Sequence, residues 1–103
     1  MVMHIGLLTL IDSATVEDRR AIADGLLGLV GRIDGLERVE VGTDLGLKEG
    51  NGDVLFRLTF ASEDAWRAYG AHPAHQAVVT GAIAPVLASK AFVQVDAFDE
   101  AIA

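Results

Sequence analysis

The 103-residue chain contains no cysteine. Disulfides, thiol nucleophiles and thiolate metal sites are therefore excluded, and the composition fits a reducing compartment. Positive charge is also scarce, because eight Lys and Arg stand against fifteen Asp and Glu, for a net charge of -7. This balance repels a phosphate backbone and an anionic membrane surface alike, which argues against nucleic-acid and membrane partners.

Long apolar runs are also missing. Residues 1–11 are apolar but too short to span a bilayer, and they have neither a basic leader nor a small-residue cleavage site. We interpret them as a strand of a soluble, cytoplasmic protein. The length allows a single domain over residues 1–103. Its apolar share of 51% is high for so small a domain, which indicates that a partner, most simply a second copy, covers part of the surface.

The order of the hydrophobic patterns predicts a β-α-β-β-α-β chain. Strands are predicted at residues 2–11, 36–45, 54–60 and 91–98. A first helix, which a capping box of Thr15 and Asp18 would begin, ends at Gly35, and a short helix capped by Ser62 spans 63–69. Another helix begins at Pro73 and loses its regularity near Ala84 because of Pro85. This is the split order of a ferredoxin-like α+β sandwich, whose helices cover one face of the sheet. Two such sheets packed face to face in a dimer would hide the other face.

Only two prolines occur, and one lies in the segment richest in reactive groups, residues 69–75, which reads Tyr-Gly-Ala-His-Pro-Ala-His. Pro73 suits the first turn of a helix and keeps His72 out of the α region. His75 would then lie in that first turn, where the helix macrodipole keeps an imidazole neutral. A tight break could fold Tyr69 toward His75 as an acid–base pair. The same spacing also fits purely structural roles, with a core tyrosine, a capping histidine and a histidine at the rim of the core.

Four features of the chain occur in the order of a known family. They are His4, Val-Gly-Thr-Asp at 41–44, Phe-Ala-Ser-Glu at 60–63 and the 69–75 segment. With them the chain resembles the stress-responsive dimeric α/β-barrel (Dabb) domain family, from about residue 3 to residue 98. The resemblance implies a homodimeric α/β barrel of two four-stranded sheets, with a pocket between the sheet and the helices of each subunit.

The catalytic members of that family that the chain resembles are plant polyketide cyclases of the olivetolic acid cyclase type. The resemblance implies that Tyr69 and His75 are the catalytic acid–base pair of an aldol-type proton transfer next to a carbonyl, in which His75 polarises the Tyr69 hydroxyl and Tyr69 moves the proton. The predicted substrate-binding residues are His4, His72, Phe56 and Trp66. His4 would orient the substrate or stabilise an enolate, and the ligand would be a small apolar or keto-containing compound. A further histidine on the third strand of those cyclases is replaced here by Val54.

No cofactor and no side-chain metal site are implied. Some relatives bind a divalent ion through backbone carbonyls, which here would be those of Val30, Ile33 and Leu36. Phe56 is also a candidate for the sheet face that a second subunit would cover.

The sequence is compatible with three functions. The first is a stress-related homodimer that binds a small molecule without catalysis, and the second is a cyclase-like enzyme using Tyr69 and His75. The third is a monooxygenase of the wider dimeric α/β-barrel superfamily. The enzyme hypothesis predicts a cavity reached by His4, Tyr69 and His75, with the phenol oxygen and an imidazole nitrogen about 2.6 to 3.2 Å apart.

Overall fold

The computed structural model describes all residues, 1–103. Its elements are β1 (Val2–Leu10), α1 (Val16–Leu27), β2 (Leu36–Thr43), β3 (Val54–Phe60), α2 (Glu63–Tyr69), α3 (Pro73–Val78) and β4 (Leu87–Val95). The strands form one antiparallel sheet in the order β2-β3-β1-β4. The predicted ferredoxin-like α+β fold is confirmed.

The register of the sheet separates two faces. β1 lies between β3 and β4, so that His4 is opposite Leu58 on one side and Gln94 on the other. Side chains alternate between the faces of a strand, which places these three residues on the same face. Leu58 is fully buried, which shows that the helices pack on this face. We call it the helix-facing side and the opposite one the outer side.

The hydrophobic core lies between the helix-facing side and the helices. β3 contributes every second residue, and α1 contributes one apolar stripe. The fully buried side chains with the largest volumes are Phe60, Leu8, Ile22, Leu26, Leu29, Leu58 and Val54. Phe56 also belongs to this core. Its candidacy for the outer side is therefore wrong, because the even-numbered positions of β3 face the helices.

The caps of the first two helices follow the sequence signals. Thr15 and Asp18 form a capping box in which each side chain bonds the other residue's backbone N–H. Ser62 accepts the Ala65 amide at the start of α2. None of the helices has the length and apolarity that crossing a bilayer requires.

The first helix is shorter than predicted. It ends at Leu27 with Gly28 as its cap, and the chain reaches β2 through turns. Gly31 and Gly35 have positive φ angles of 85° and 81°, which glycine adopts without strain and which no helix continues through. Leu29 and Ile33 nevertheless stay buried, because the turns keep them against the sheet.

The segment after α3 also differs from the prediction. The regular helix begins at Pro73, as predicted, but it ends at Val78, widens into a π-helical turn over Val79–Ile83 and closes with a 3₁₀ turn that contains Pro85. Proline lacks the N–H that a regular helix needs and clashes with the carbonyl four residues earlier. β4 therefore begins at Leu87, four residues before the predicted start, and ends at Val95.

Candidate functional site

A cavity of about 310 Å³ lies between the helix-facing side of the sheet and the segment from α2 to β4. Its volume is at the lower end of the range for small-molecule sites, roughly 300–1,000 Å³. The lining residues are mostly apolar, and they are His4, Leu8, Leu26, Phe56, Tyr69, His75, Gln76, Val79, Ile83, Ala84, Leu87, Lys90 and Phe92. His4, Tyr69 and His75 therefore line the same cavity.

The break between α2 and α3 places Tyr69 beside His75. Tyr69 is the last residue of α2, and His72 is extended, with φ -66° and ψ 132°. The His72 ring accepts the Ala74 amide through Nδ1 at 3.0 Å, which caps α3. Pro73 then opens that helix, and the ring centroids of Tyr69 and His75 are 4.0 Å apart, at an interplanar angle of 40°. The local turn chemistry therefore creates the contact.

The expected hydrogen bond between the phenol and the imidazole is not formed. The His75 ring packs against the phenol ring, and its Nδ1 donates to the Gly70 carbonyl oxygen at 3.1 Å. A carbonyl oxygen only accepts, so the ring proton must be on Nδ1 and the lone pair on Nε2. Burial lowers the pKa of His75, although the bond to Gly70 partly opposes this shift. The neutral ring therefore offers Nε2 as a base.

His4 has the opposite tautomer. The Gln94 side-chain amide donates to Nδ1 of His4 at 2.9 Å, which leaves the ring proton on Nε2. Burial, with a smaller contribution from nearby His75, lowers the pKa of His4 to about 4. The ring is therefore neutral at pH 7, and its Nε2–H is a hydrogen-bond donor.

The Tyr69 hydroxyl is a neutral donor. Burial raises the pKa of Tyr69 well above its ordinary value of 10, because the phenolate would lose its hydration. The ring packs between those of Phe60 and His4, at centroid distances of 5.1 and 5.8 Å. Such a phenol cannot act as a base near neutral pH, but it can donate a proton or a hydrogen bond.

Three polar atoms of the residues predicted for catalysis and substrate binding have no protein partner. They are the Tyr69 hydroxyl oxygen, Nε2 of His75 and Nε2 of His4, none of which takes part in a hydrogen bond. Every side-chain nitrogen or oxygen that is fully buried does have a partner, so these three atoms reach open space. Two donors and one acceptor are therefore available to a ligand.

Of the other three residues predicted to bind substrate, one lines the cavity and two do not. Phe56 lines the cavity, and its ring lies 5.6 Å from that of His4. Trp66 and His72 do not line it. The Trp66 ring is 6.2 Å from His4, and Nδ1 of His72 is occupied by its capping bond. The substrate-binding role of these two residues stays a prediction.

Sequence reasoning missed several residues of the site, chiefly Gln94 and Lys90. The pairing of Gln94 with His4 joins positions 90 residues apart and depends on the strand register, which no local pattern reveals. Lys90 was missed because β4 was predicted to begin after it. The signal that could have identified Lys90 is its spacing of two residues from Phe92, which places both side chains on the same face of β4.

No group of three or more His, Cys, Asp or Glu side chains could hold a metal ion. Of the backbone carbonyls considered for a divalent ion, that of Ile33 accepts the Leu36 amide at 3.2 Å. One lone pair of this carbonyl is left for a cation. The carbonyl site stays a prediction.

Solved structures share this fold. A dimeric ferredoxin-like protein of unknown function from Thermobifida fusca is 35% identical, with a TM-score of 0.80 over 91% of this chain and 88% of that chain. The Arabidopsis thaliana protein At3g17210 is 23% identical, with a TM-score of 0.83 over 99% and 100% of the two chains. A hydroxynitrile lyase from Passiflora edulis is 15% identical, with a TM-score of 0.77 over 95% and 96%.

No curated protein is similar enough in sequence to match. The sequence model described as Stress responsive A/B Barrel Domain matches residues 2–99. This match covers all seven helices and strands and every residue of the cavity. The chain therefore belongs to the Dabb family of stress responsive A/B barrel domains.

Proposed function

We propose that this protein binds a small, largely apolar carbonyl compound in the cavity and moves a proton at the carbon next to the carbonyl. His75 is the base, and Tyr69 and His4 are donors to the carbonyl oxygen. The observation that carries the proposal is the set of three unpartnered atoms, two donors and one acceptor, on one apolar cavity.

The proposed step conserves atoms and charge. Nε2 of His75 takes the proton from the carbon, the electron pair of the C–H bond forms the C=C bond of the enolate, and the π pair of the carbonyl moves to its oxygen. The resulting enolate oxygen accepts hydrogen bonds from the Tyr69 hydroxyl and from Nε2–H of His4. Fixed donors in an apolar site stabilise such an oxyanion strongly, and a well-placed base contributes about 10²- to 10⁴-fold in rate.

This assignment changes the role expected for Tyr69. The sequence prediction had the phenol carry the proton while His75 polarised it. Two observations favour His75 as the base instead: the two side chains are not hydrogen-bonded, and burial raises the pKa of the phenol. An enolate that then attacked a second carbonyl of the same molecule would give the aldol cyclisation of a polyketide cyclase, which is the finer form of the proposal.

The proposal does not depend on the named activity of a structural neighbour. The Passiflora edulis protein is a hydroxynitrile lyase, but its identity of 15% supports the fold alone. A stress-related role follows only from the family description, and a cytoplasmic location stays a prediction.

We also propose that the protein is a homodimer in which two outer sides face each other. Leu7 of β1 is paired with Leu55 of β3 and Ala91 of β4, and Leu55 and nearby Val93 are about half exposed. The similar protein from Thermobifida fusca is described as dimeric. An apolar face of this kind, left uncovered, would be an aggregation surface.

The experiment is deuterium exchange at the acetyl group of acetophenone in D₂O, followed by proton NMR. We expect wild-type protein to accelerate the exchange, and His75→Gln to lower the protein-dependent rate by about 10²-fold or more. Tyr69→Phe should lower it less, because one donor to the oxygen remains. His72→Asn is the matched control, since asparagine keeps an N-cap and residue 72 does not line the cavity.

Exchange that is unchanged in His75→Gln would overturn the role of His75. If wild-type protein binds acetophenone and exchanges none of its protons, the protein is a binding protein without this chemistry.

A further inference from the structure

The charge of the cavity lining is opposite to that of the protein. The chain has fifteen acidic residues, yet none of them is among the thirteen residues that line the cavity. Lys90 does line it. Since His4 and His75 are neutral at pH 7, Lys90 provides the only formal charge at the site.

Lys90 is on the helix-facing side of the sheet. It is paired with Leu8 of β1, which is fully buried against the helices. β4 is an edge strand, so the long side chain can lie along apolar surface while its ammonium group reaches solvent. Nζ is 5.6 Å from the ring centroid of Phe92, another lining residue.

The ammonium group of Lys90 has no carboxylate partner. All five ion pairs of the structure use arginine. Lys90 takes part in no side-chain hydrogen bond either, and its charge is met only by the face of the Phe92 ring. A residue of the cavity lining therefore carries one unneutralised positive charge beside an aromatic ring, in a protein whose net charge of -7 repels anions.

We infer that the ligand of the cavity is a monoanionic carboxylate that also contains the reactive carbonyl. The carboxylate pairs with Lys90, the apolar body packs on residues such as Leu87 and Phe92, and the carbonyl meets the donors of Tyr69 and His4. This inference rests on the proposed function for the position of the carbonyl. A single ammonium group compensates one negative charge, which favours a carboxylate over a doubly charged phosphate.

The test compares two probes of nearly equal shape, 4-acetylbenzoate and 4-acetylbenzamide, by isothermal titration calorimetry. Both carry an acetyl carbonyl, and they differ in the charge at the opposite end. We expect wild-type protein to bind the benzoate roughly two- to fivefold more tightly than the amide, which is the range of a partly exposed ion pair. Lys90→Met should abolish this preference with little effect on the amide, and Lys90→Arg should retain it.

Lys48→Met provides the matched control. The chain has two lysines, and Lys48 is exposed in the loop between β2 and β3, outside the cavity lining. Both methionine variants change the net charge equally. A general effect of net charge would appear in both, whereas the proposed ion pair predicts a loss of preference only in Lys90→Met. The preference should also decrease with added salt.

The outcomes separate the inference from the proposed function. Equal affinities of wild-type protein for the two probes, no measurable binding of the benzoate, or an unchanged preference in Lys90→Met would each overturn the inference. Deuterium exchange at the acetyl group of the same probes reports the chemistry independently. A Lys90-dependent preference without any exchange would uphold the inference about ligand charge and contradict the proposed reaction.

Discussion

The two sides of the sheet use the same strands in different ways. Leu7 and Leu8 are adjacent in β1, yet Leu7 is 40% exposed and Leu8 only 1%. In β3, Leu55 is 51% exposed while Leu58 is fully buried. The chain's own helices cover Leu8 and Leu58 on the helix-facing side, whereas the outer side still exposes apolar surface.

The polar groups of the two sides differ as well. On the outer side Arg57 donates to both carboxylate oxygens of Glu40, at 2.7 and 2.9 Å, and the pKa of Glu40 is lowered mainly by this bond. On the helix-facing side, one ring nitrogen of His4 and one of His75 are hydrogen-bonded to a protein partner, and the other nitrogen of each ring is free. Saturated polar groups suit a protein interface, and half-saturated ones suit a ligand. A shift of one residue along a strand therefore separates these two tasks.

The largest expected difference between the two sides is in stability. Leu58→Ala should lower the free energy of unfolding by about 2–5 kcal/mol, because it opens a cavity in the core. Leu55→Ala removes the same atoms from the outer side and should cost clearly less in the dissociated chain, because only the proposed dimer covers that side. Urea denaturation at protein concentrations low enough to dissociate the dimer measures both losses. Equal losses there would show that the two sides are equally buried within one chain.

The next effect is on assembly. Leu55→Asp should weaken the proposed dimer by about a hundredfold or more, because two unpaired carboxylates would be buried in a symmetric interface. Ala68→Asp, at an exposed position of α2, is the control for added charge. Sedimentation velocity of wild type and both variants gives the result. A dimer that survives Leu55→Asp would contradict the face-to-face arrangement.

A smaller effect concerns pH and His4. Its pKa is about 4 in the folded chain and 6.5 when unfolded, so between these pH values the unfolded chain binds a proton that the folded chain does not. Stability therefore falls as pH falls through this window, by roughly 3 kcal/mol from this group. His4→Gln should show a shallower loss between pH 7 and pH 4.5, measured by urea denaturation. Parallel slopes for wild type and His4→Gln would contradict the burial of a neutral His4.

The smallest expected effect tests Gln94 as a positioning residue. Gln94→Glu replaces a donor to Nδ1 of His4 by an acceptor, so we expect the ring proton to move to Nδ1 and the pKa of His4 to rise. Gln94→Leu should leave the tautomer unfixed, with a stability loss of about 1 kcal/mol. Deuterium exchange should fall a few-fold in both variants, and ¹⁵N NMR reports the tautomer directly. A purely structural role would predict no change of tautomer in Gln94→Glu.

Much of the fold was readable from local signals. Pro73, Ser62 and the capping pair Thr15 and Asp18 each mark the start of a helix, and the structure confirms all three starts. The limits of β3 and α2 are also as predicted. These signals act within one helical turn, so the sequence carries them without reference to the rest of the chain.

The misses share a physical cause, which is that they depend on non-local packing. The apolar stripe of α1 continues to Ile33, and it predicted one long helix, but Gly31 and Gly35 turn the chain while Leu29 and Ile33 still pack on the sheet. The hydrogen bond between Gln94 and His4 is set by strand register. Spacing alone placed Tyr69 next to His75, yet the partner of Nδ1 in His75, the Gly70 carbonyl, follows from the shape of the break.

The most direct test of the site is a long-range ¹H–¹⁵N NMR spectrum of the histidine rings at pH 7, which needs no substrate. The structure predicts opposite neutral tautomers, with the proton on Nε2 in His4 and on Nδ1 in His75. His4 would then be a donor and His75 an acceptor on the same cavity. Identical tautomers, or a protonated ring at either residue, would contradict the proposed division of roles.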